Sequence, residues 1–316
     1  MMSALIGAGR AAILISMLAL LGHASAAATI ASSIGEDPVV LAAGDIAQCP
    51  GPGAALTAHL LAGLTGIVLA VGDLAYERGS LDEFDHCYEP TWGAYKARTF
   101  PVPGNHEYET PNAAGYFAYW GDRAGPVGKG YYSVDLGTWH LIALNSNLES
   151  TAALEQENWL RNDLAASPAR CVLAFWHHTV FSSGYNGQIP ATLPLYRVLY
   201  EGGASVLITG HDHHYERFQP LAPNGIVDET HGIRIFVVGT GGAKRYPALF
   251  SQPASEVRSW GTWGILKIVL HPASYHWEFI PAERSHFSDA GDGRCVERET
   301  GASSKTPRSG EAFERP

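Results

Sequence analysis

Five apolar runs along this chain end alike, each breaking into a short polar cluster of Gly, Asp, Asn and His. They read Val39-Val40-Leu41-Ala42-Ala43-Gly44-Asp45, Val68-Leu69-Ala70-Val71-Gly72-Asp73-Leu74-Ala75-Tyr76, Pro101-Val102-Pro103-Gly104-Asn105-His106-Glu107, Val172-Leu173-Ala174-Phe175-Trp176-His177-His178 and Val206-Leu207-Ile208-Thr209-Gly210-His211-Asp212-His213. Short runs rich in Val, Ile and Leu and bounded by Gly or Pro predict buried strands. In α/β sheets, ligands bind beyond the carboxyl ends of strands. All five clusters fall at that end.

Helical patterns lie between the runs. Residues 54–64 predict a helix, 81–96 a set of broken helical turns, 112–120 a short helix and 194–201 another. The clearest is 154–166, where Leu154, Trp159, Leu160 and Leu164 recur near helical spacing. Residues 131–134 and 139–144 predict a hairpin turning at Asp135-Leu136-Gly137, and 264–270 with 274–280 a second one. The run 233–237 leads into Gly239-Thr240-Gly241-Gly242, which lacks the Lys and Ser or Thr spacing of a phosphate-binding loop and predicts a tight turn instead. From Glu299 onward little can be buried, so residues 299–316 read as a disordered tail.

Composition narrows the class. Hydrophobic residues make up 46% and charged residues 16% of 316, which excludes disorder, and 35 Gly with 19 Pro imply many loops. A net charge of −10 argues against nucleic acid as a stable partner. It also gives no long-range attraction for an anion, so any attraction must be local.

The first residues predict export. Met1 to Arg10 carries one positive charge, Ala11 to Leu21 is apolar, and Ala24-Ser25-Ala26 has a small-x-small cleavage pattern, so residues 1–27 read as a signal peptide. The apolar run is shorter than the ~20 residues of a membrane span. The expected mature protein is therefore secreted or periplasmic with no membrane attachment, and the roughly 290 residues that remain hold one large domain, taken as 28–298. Cys49, Cys87, Cys171 and Cys295 are an even set in an exported chain, which favours disulfides with three possible connectivities. Cys49 with Cys87 is the preferred pair, because they follow the strand-end clusters of Asp45 and Asp73, so their loops share one face.

The donor types in the clusters fit a pair of metal ions. Two cations ~3.5–4 Å apart need a ligand that touches both, and a carboxylate, here Asp73, is the natural bridge. Asn105 offers a neutral oxygen, which binds a hard metal without adding charge and so suits a site for an anionic substrate. Taken singly, Asp or Asn after Gly is commonly a turn residue or helix cap. Five such clusters in register outweigh that reading. Strand alternation would turn His178 away from His177 and His214 away from His213. His59, His86, His140, His231, His271, His276 and His286 lie outside the clusters and read as structural.

In order, the motifs Gly-Asp45, Gly-Asp73-x-x-Tyr76, Gly-Asn105-His106-Glu107, His177 and Gly-His211-x-His213 resemble the calcineurin-like metallophosphoesterase superfamily, and within it the purple acid phosphatases. The narrower likeness rests on Tyr76, on the continuation His213-His214-Tyr215-Glu216-Arg217, and on Ala47, where many superfamily members have a histidine ligand. The resemblance spans residues 38–240. It implies an α/β fold of two mixed sheets packed face to face with helices outside, a four-layer αββα sandwich. It implies one metal on Asp45, Asp73, Tyr76 and His213 and a second on Asp73, Asn105, His177 and His211, the pair being Fe with Zn, Mn or a second Fe. His106 would contact the phosphoryl group or protonate the leaving group. Plant members carry histidines in the loop after the fourth motif; here it reads Ser182-Ser183-Gly184-Tyr185-Asn186-Gly187, leaving Asn186 or His178 as possible substrate contacts. The implied activity is hydrolysis of small phosphoric monoesters. The alternatives are a phosphodiesterase or nucleotidase of the same fold, and a secreted metal-binding protein without turnover.

Overall fold

The computed structural model describes residues 28–30, 37–247, 250–283 and 285–298; the expected signal peptide and tail lie outside the described residues. Fourteen described strands form two sheets. They are β1 (Ala28–Ile30), β2 (Val39–Ala43), β3 (Ile67–Val71), β4 (Thr99–Val102), β5 (Tyr132–Leu136), β6 (Trp139–Ala143), β7 (Cys171–Phe175), β8 (Val206–Thr209), β9 (Tyr215–Phe218), β10 (Arg234–Val238), β11 (Ser255–Ser259), β12 (Gly264–Leu270), β13 (Ser274–Pro281) and β14 (Asp289–Arg294). The α-helices are α1 (Gly53–Ala62), α2 (Leu81–Glu83), α3 (Asn105–Tyr108), α4 (Ala114–Trp120), α5 (Ser150–Ala166) and α6 (Leu193–Glu201).

One sheet runs β1-β5-β6-β7-β8-β10-β9-β11 and the other β14-β13-β12-β2-β3-β4. Each holds a parallel block: β2, β3 and β4, which ends at the edge of its sheet, and β6, β7, β8 and β10 inside the other. Antiparallel strands flank both. The apolar runs explain this arrangement. Every residue of β7 and β8 is buried, as strands covered on both faces must be.

Three apolar clusters define four layers. Val40, Leu69, Leu141, Phe175, Phe236 and Leu266 fill the space between the sheets. Leu160, Leu164, Tyr196 and Leu199 of α5 and α6 pack on the outer face of one sheet. Leu61 of α1, with Phe84, Trp92, Tyr116 and Trp120, covers the other. The expected two-sheet sandwich is present. Among the described residues no helix is long and apolar enough to cross a membrane.

The cysteines pair as Cys49–Cys87 and Cys171–Cys295. Helix α5 starts at Ser150, four residues before the expected stripe, and its buried face is Gln156, Leu160 and Leu164, whereas Leu154, expected to open that face, is exposed. Its end is capped from far away. The Arg298 guanidinium donates to the Leu164, Ala169 and Gly202 carbonyls, giving these C-terminal acceptors partners that no local residue supplies.

Candidate metal centre

The five clusters converge where the carboxyl ends of the two parallel strand sets meet. Asp45 follows β2, Asp73 follows β3, Asn105 opens α3 after β4, His177 follows β7, and His211 and His213 follow β8. The first two turns are zipped together. Asp45, Ile46 and Ala47 donate their N–H groups to the Gly72, Asp73 and Leu74 carbonyls, and Tyr76 donates back to Ala47. The other sheet copies the device, with Gly210 N–H bonded to the His177 carbonyl at 2.8 Å.

Three of these residues carry a left-handed backbone: Asp45 (φ 59°), Asp73 (φ 50°) and His211 (φ 70°). Non-glycine residues adopt that conformation at a cost and only where surrounding structure enforces it, a pattern that clusters at functional sites. The glycines serve close approach. A Cβ on Gly104 would stand 2.1 Å from Asp73 Oδ1.

Around Asp73 the donor atoms form two groups. In the first, Tyr76 Oη lies 3.0 Å from Asp45 Oδ1 and 3.1 Å from His213 Nε2, which is itself 3.1 Å from Asp45 Oδ1. In the second, His177 Nε2 lies 3.1 Å from Asn105 Oδ1 and 3.3 Å from His211 Nδ1. Asp73 Oδ2 joins them, 3.3 Å from Tyr76 Oη and 3.1 Å from His177 Nε2. The ligand atoms of Asp73, His177 and His211 all lie within 4.8 Å of one another.

The tautomers say what this convergence is for. His177 Nδ1 donates to the Val71 carbonyl at 3.0 Å and His213 Nδ1 to the Lys244 carbonyl at 2.6 Å. A carbonyl only accepts, so each Nδ1 carries the hydrogen and each neutral ring aims a bare Nε2 lone pair at a carboxylate oxygen. Acceptor faces acceptor, and a cation between them resolves the conflict. Without one, protons fill the place. Burial opposes a charge on His177, but Asp73 outweighs it and the imidazole is pushed up to about 10. Burial and the neighbouring Asp45 and Asp73 hold the Tyr76 phenol well above its usual range. The donor set fits two hard-to-intermediate cations, and the backbone carbonyls orient the imidazoles as outer partners of metal ligands do.

His106 stands at the open side. Its Nδ1 donates to the Glu77 carbonyl at 2.5 Å, its backbone N–H donates to Asp73 Oδ1 at 2.9 Å, and Nε2 is 3.8 Å from Asp73 Oδ2. Against the alternation reading, His178 does not turn away from the site. Its ring centroid is 5.3 Å from that of His177 and 4.6 Å from that of His211, with Ser146 Oγ 2.8 Å from Nδ1. The strand ends at Phe175, so alternation no longer applies at His177 and His178. His214 does lie in the core, bonded to Glu216 at 3.0 Å. Both amide hydrogens of Asn186 are engaged within the protein, by the His211 carbonyl at 3.0 Å and Tyr246 Oη at 3.1 Å.

Sequence reasoning missed three supports. Glu107 is fully buried and accepts N–H groups from Asp73 (2.9 Å), Leu74 (2.8 Å), Ala75 (3.3 Å) and Gly104 (2.7 Å), tying the second turn to the third. Burial, reinforced by Asp73, pushes its carboxyl up to about 7. Asp212, also buried, gathers Ser182 Oγ and the N–H groups of Asn186 and Gly187. An acidic residue inside an otherwise ligating motif was the available signal for both. Tyr246 stacks on His213 with centroids 4.4 Å apart, and nothing local announced it.

A model of the calcineurin-like phosphoesterase family matches residues 35–215. The chain belongs to that family. It is 25% identical over 259 residues to probable inactive purple acid phosphatase 9 of Arabidopsis thaliana, covering 65% of this chain and 40% of the relative. It is 24% identical over 228 residues to purple acid phosphatase 15 of the same plant, covering 60% and 42%. The chain thus spans about two fifths of the length of these relatives. The structure of purple acid phosphatase PPD1 from yellow lupin shares the fold, with a TM-score of 0.66 at 18% identity over 87% of this chain and 57% of that one.

Proposed function

We propose that this chain is an exported, binuclear metal-dependent phosphatase that hydrolyses small phosphoric monoesters. The observation that carries the reading is the acceptor-against-acceptor geometry of His177 Nε2 with Asp73 Oδ2 and of His213 Nε2 with Asp45 Oδ1, in a chain of the calcineurin-like phosphoesterase family. Asp45, Asp73, Tyr76 and His213 would hold one cation and Asp73, Asn105, His177 and His211 the other. Such a pair supplies Lewis acidity toward phosphoryl oxygens and lowers the pKa of a bound water. Fe with Zn, Mn or a second Fe suits the phenol and mixed N/O set.

The chain's own residues do the rest. Asp73 offsets both cations, and neutral Asn105 keeps the site from becoming too anionic for a phosphate. His106, fixed by the Glu77 carbonyl, presents Nε2 to the substrate; when protonated it donates to the departing alkoxide. Export is supported by the leader pattern and the two disulfides.

Metal analysis with an optical spectrum tests the reading. An iron-loaded protein with Tyr76 as ligand absorbs visible light by charge transfer from the phenolate, and Tyr76→Phe abolishes or strongly shifts that band while metal stays bound. A band unchanged in Tyr76→Phe removes Tyr76 from the ligand set. Turnover of an aryl phosphate well above that of a bis-aryl phosphate is expected; the reverse ratio makes the protein a diesterase.

A further inference from the structure

We infer that Tyr185 and Tyr246 form an aromatic wall beside the metal centre that selects phosphoesters with a planar leaving group, aryl or nucleobase-bearing, over alkyl phosphates. The inference rests on the phosphoesterase reading above and adds a substrate class to it.

Tyr246 is fixed at one end and stacked at the other. Its hydroxyl donates to the His211 carbonyl at 2.9 Å and accepts from Asn186 Nδ2, while its ring lies on His213, centroids 4.4 Å apart and planes at 28°. Tyr185 stands edge-on to it, centroids 6.0 Å apart and planes at 70°. Two ring contacts therefore lead from a candidate metal ligand outward. Yet Tyr185 is 67% exposed.

Its loop is not loose. Buried Asp212 accepts the N–H groups of Asn186 at 2.8 Å and Gly187 at 3.2 Å, and Ser182 Oγ accepts that of Gly184 at 2.9 Å. The Ser183 carbonyl accepts the Phe250 N–H at 3.1 Å, anchoring a second aromatic, 63% exposed, on the same loop. A large ring held out in water on a rigid loop gains little for folding. Tyrosine has only two side-chain torsions to fix, so it offers contact area at small entropic loss when a ligand arrives.

The Tyr246 hydroxyl and the Asn186 amide hydrogens of this wall are already used. Asn186 has given both amide hydrogens to the protein, so its side chain brings no free donor to a phosphoryl oxygen. What remains for recognising the rest of a substrate is a π surface. Aryl rings and nucleobases stack on such surfaces whatever their edge pattern, whereas an alkyl alcohol cannot.

The test compares the purified metalloprotein with Tyr185→Ala and Tyr185→Phe at matched metal content. The ratio of kcat/KM for phenyl phosphate to that for glycerol 3-phosphate is expected to fall between about fivefold and a hundredfold in Tyr185→Ala and to stay within about twofold in Tyr185→Phe. Phenylphosphonate is expected to bind the parent more tightly than methylphosphonate, and Tyr185→Ala to erase that margin. A ratio and a margin unchanged by Tyr185→Ala overturn the aromatic wall and leave the phosphatase reading intact. If neither ester is turned over but the margin exists and vanishes in Tyr185→Ala, the wall stands and the hydrolytic reading fails.

Discussion

Two buried clusters of charge, one between the sheets and one at their ends, obey opposite rules. Between the sheets, Asp289 of β14 accepts from Arg217 Nε (2.8 Å) and Nη2 (3.0 Å), Tyr215 Oη (2.6 Å) and Trp277 Nε1 (3.1 Å), while Arg217 Nη1 reaches Glu256. Both oxygens of Asp289 meet donors there, and every donor of the cluster has an acceptor. Around Asp73 and Asp45 the Tyr76 phenol offers one hydrogen to two carboxylates, while the His177 and His213 rings, their Nδ1 hydrogens spent on carbonyls, turn Nε2 lone pairs inward. A buried ionic network that is complete serves the fold; one that is short of positive charge is built for a cation from outside.

The largest expected effect is at the incomplete cluster. Asp73→Asn preserves shape but removes the charge that the proposed pair of cations would share, so on that reading hydrolysis should fall by several orders of magnitude and both metals should bind weakly. Near-normal turnover at full metal content would remove Asp73 from the centre. At the complete cluster the loss should appear in stability. Asp289→Ala leaves the buried Arg217 with Glu256 alone and takes the acceptor from Tyr215 and Trp277, and should cost about 3–5 kcal/mol in denaturant unfolding, with metal stoichiometry unchanged in the folded fraction. A variant as stable as the parent would make the network ornamental.

Glu107 sharpens the contrast because it belongs to neither kind. It touches no expected ligand atom, yet four backbone N–H groups end on it, three of them in the turn that holds Asp73 strained at φ 50°. Glu107→Gln turns an amide hydrogen toward those donors. Metal affinity should drop about 10–100-fold with the fold retained, as for outer partners of metal ligands. Competitive chelator titration measures it, and an affinity within twofold of the parent would confine Glu107 to packing.

What the chain reveals before folding follows the same division. The site was legible because strand-end turns concentrate rare residue types beside Val- and Leu-rich runs, so Asp45, Asp73, Asn105, His177, His211 and His213 stand out locally. Supports that come from afar did not. Tyr246 meets His213 only through tertiary packing, and Arg298 caps α5 from the far end of the chain. Strand β14, Asp-Ala-Gly-Asp-Gly-Arg, has almost no strand propensity. It forms because Gly291 and Gly293 lie under the rings of Trp277 and Tyr275, where a Cβ would come within 2.5 and 2.1 Å. Strand β9 carries Glu and Arg at fully covered positions, which a hydropathy pattern rejects and the partners Ser183, His214 and Asp289 permit.

The smallest expected effect concerns a third cluster, complete only while it holds a proton. His140 of β6 is buried with Nδ1 2.6 Å from Asp135 of β5 and Nε2 2.8 Å from Asp163 of α5, whose other oxygen accepts from Ser133. Both ring nitrogens face carboxylates, so the imidazolium satisfies both and the neutral ring only one. Burial disfavours the charge, but hydrogen bonds to Asp163 and Asp135 outweigh it and raise the pKa above the usual histidine value. A folded-state pKa raised above the unfolded one gives stability that is complete below the unfolded value, about 6.5, and is lost as pH rises through the folded value. His140→Gln should therefore cost about 1–2 kcal/mol near pH 6, discounted for the partial exposure of both aspartates, and the gap to the parent should shrink as the solution is made alkaline. Denaturant midpoints of the two proteins from pH 6 to 10 measure it. A gap that stays constant or widens toward high pH would mean the ring is neutral when buried, and that this cluster, like the one around Arg217, is closed without a titrating proton.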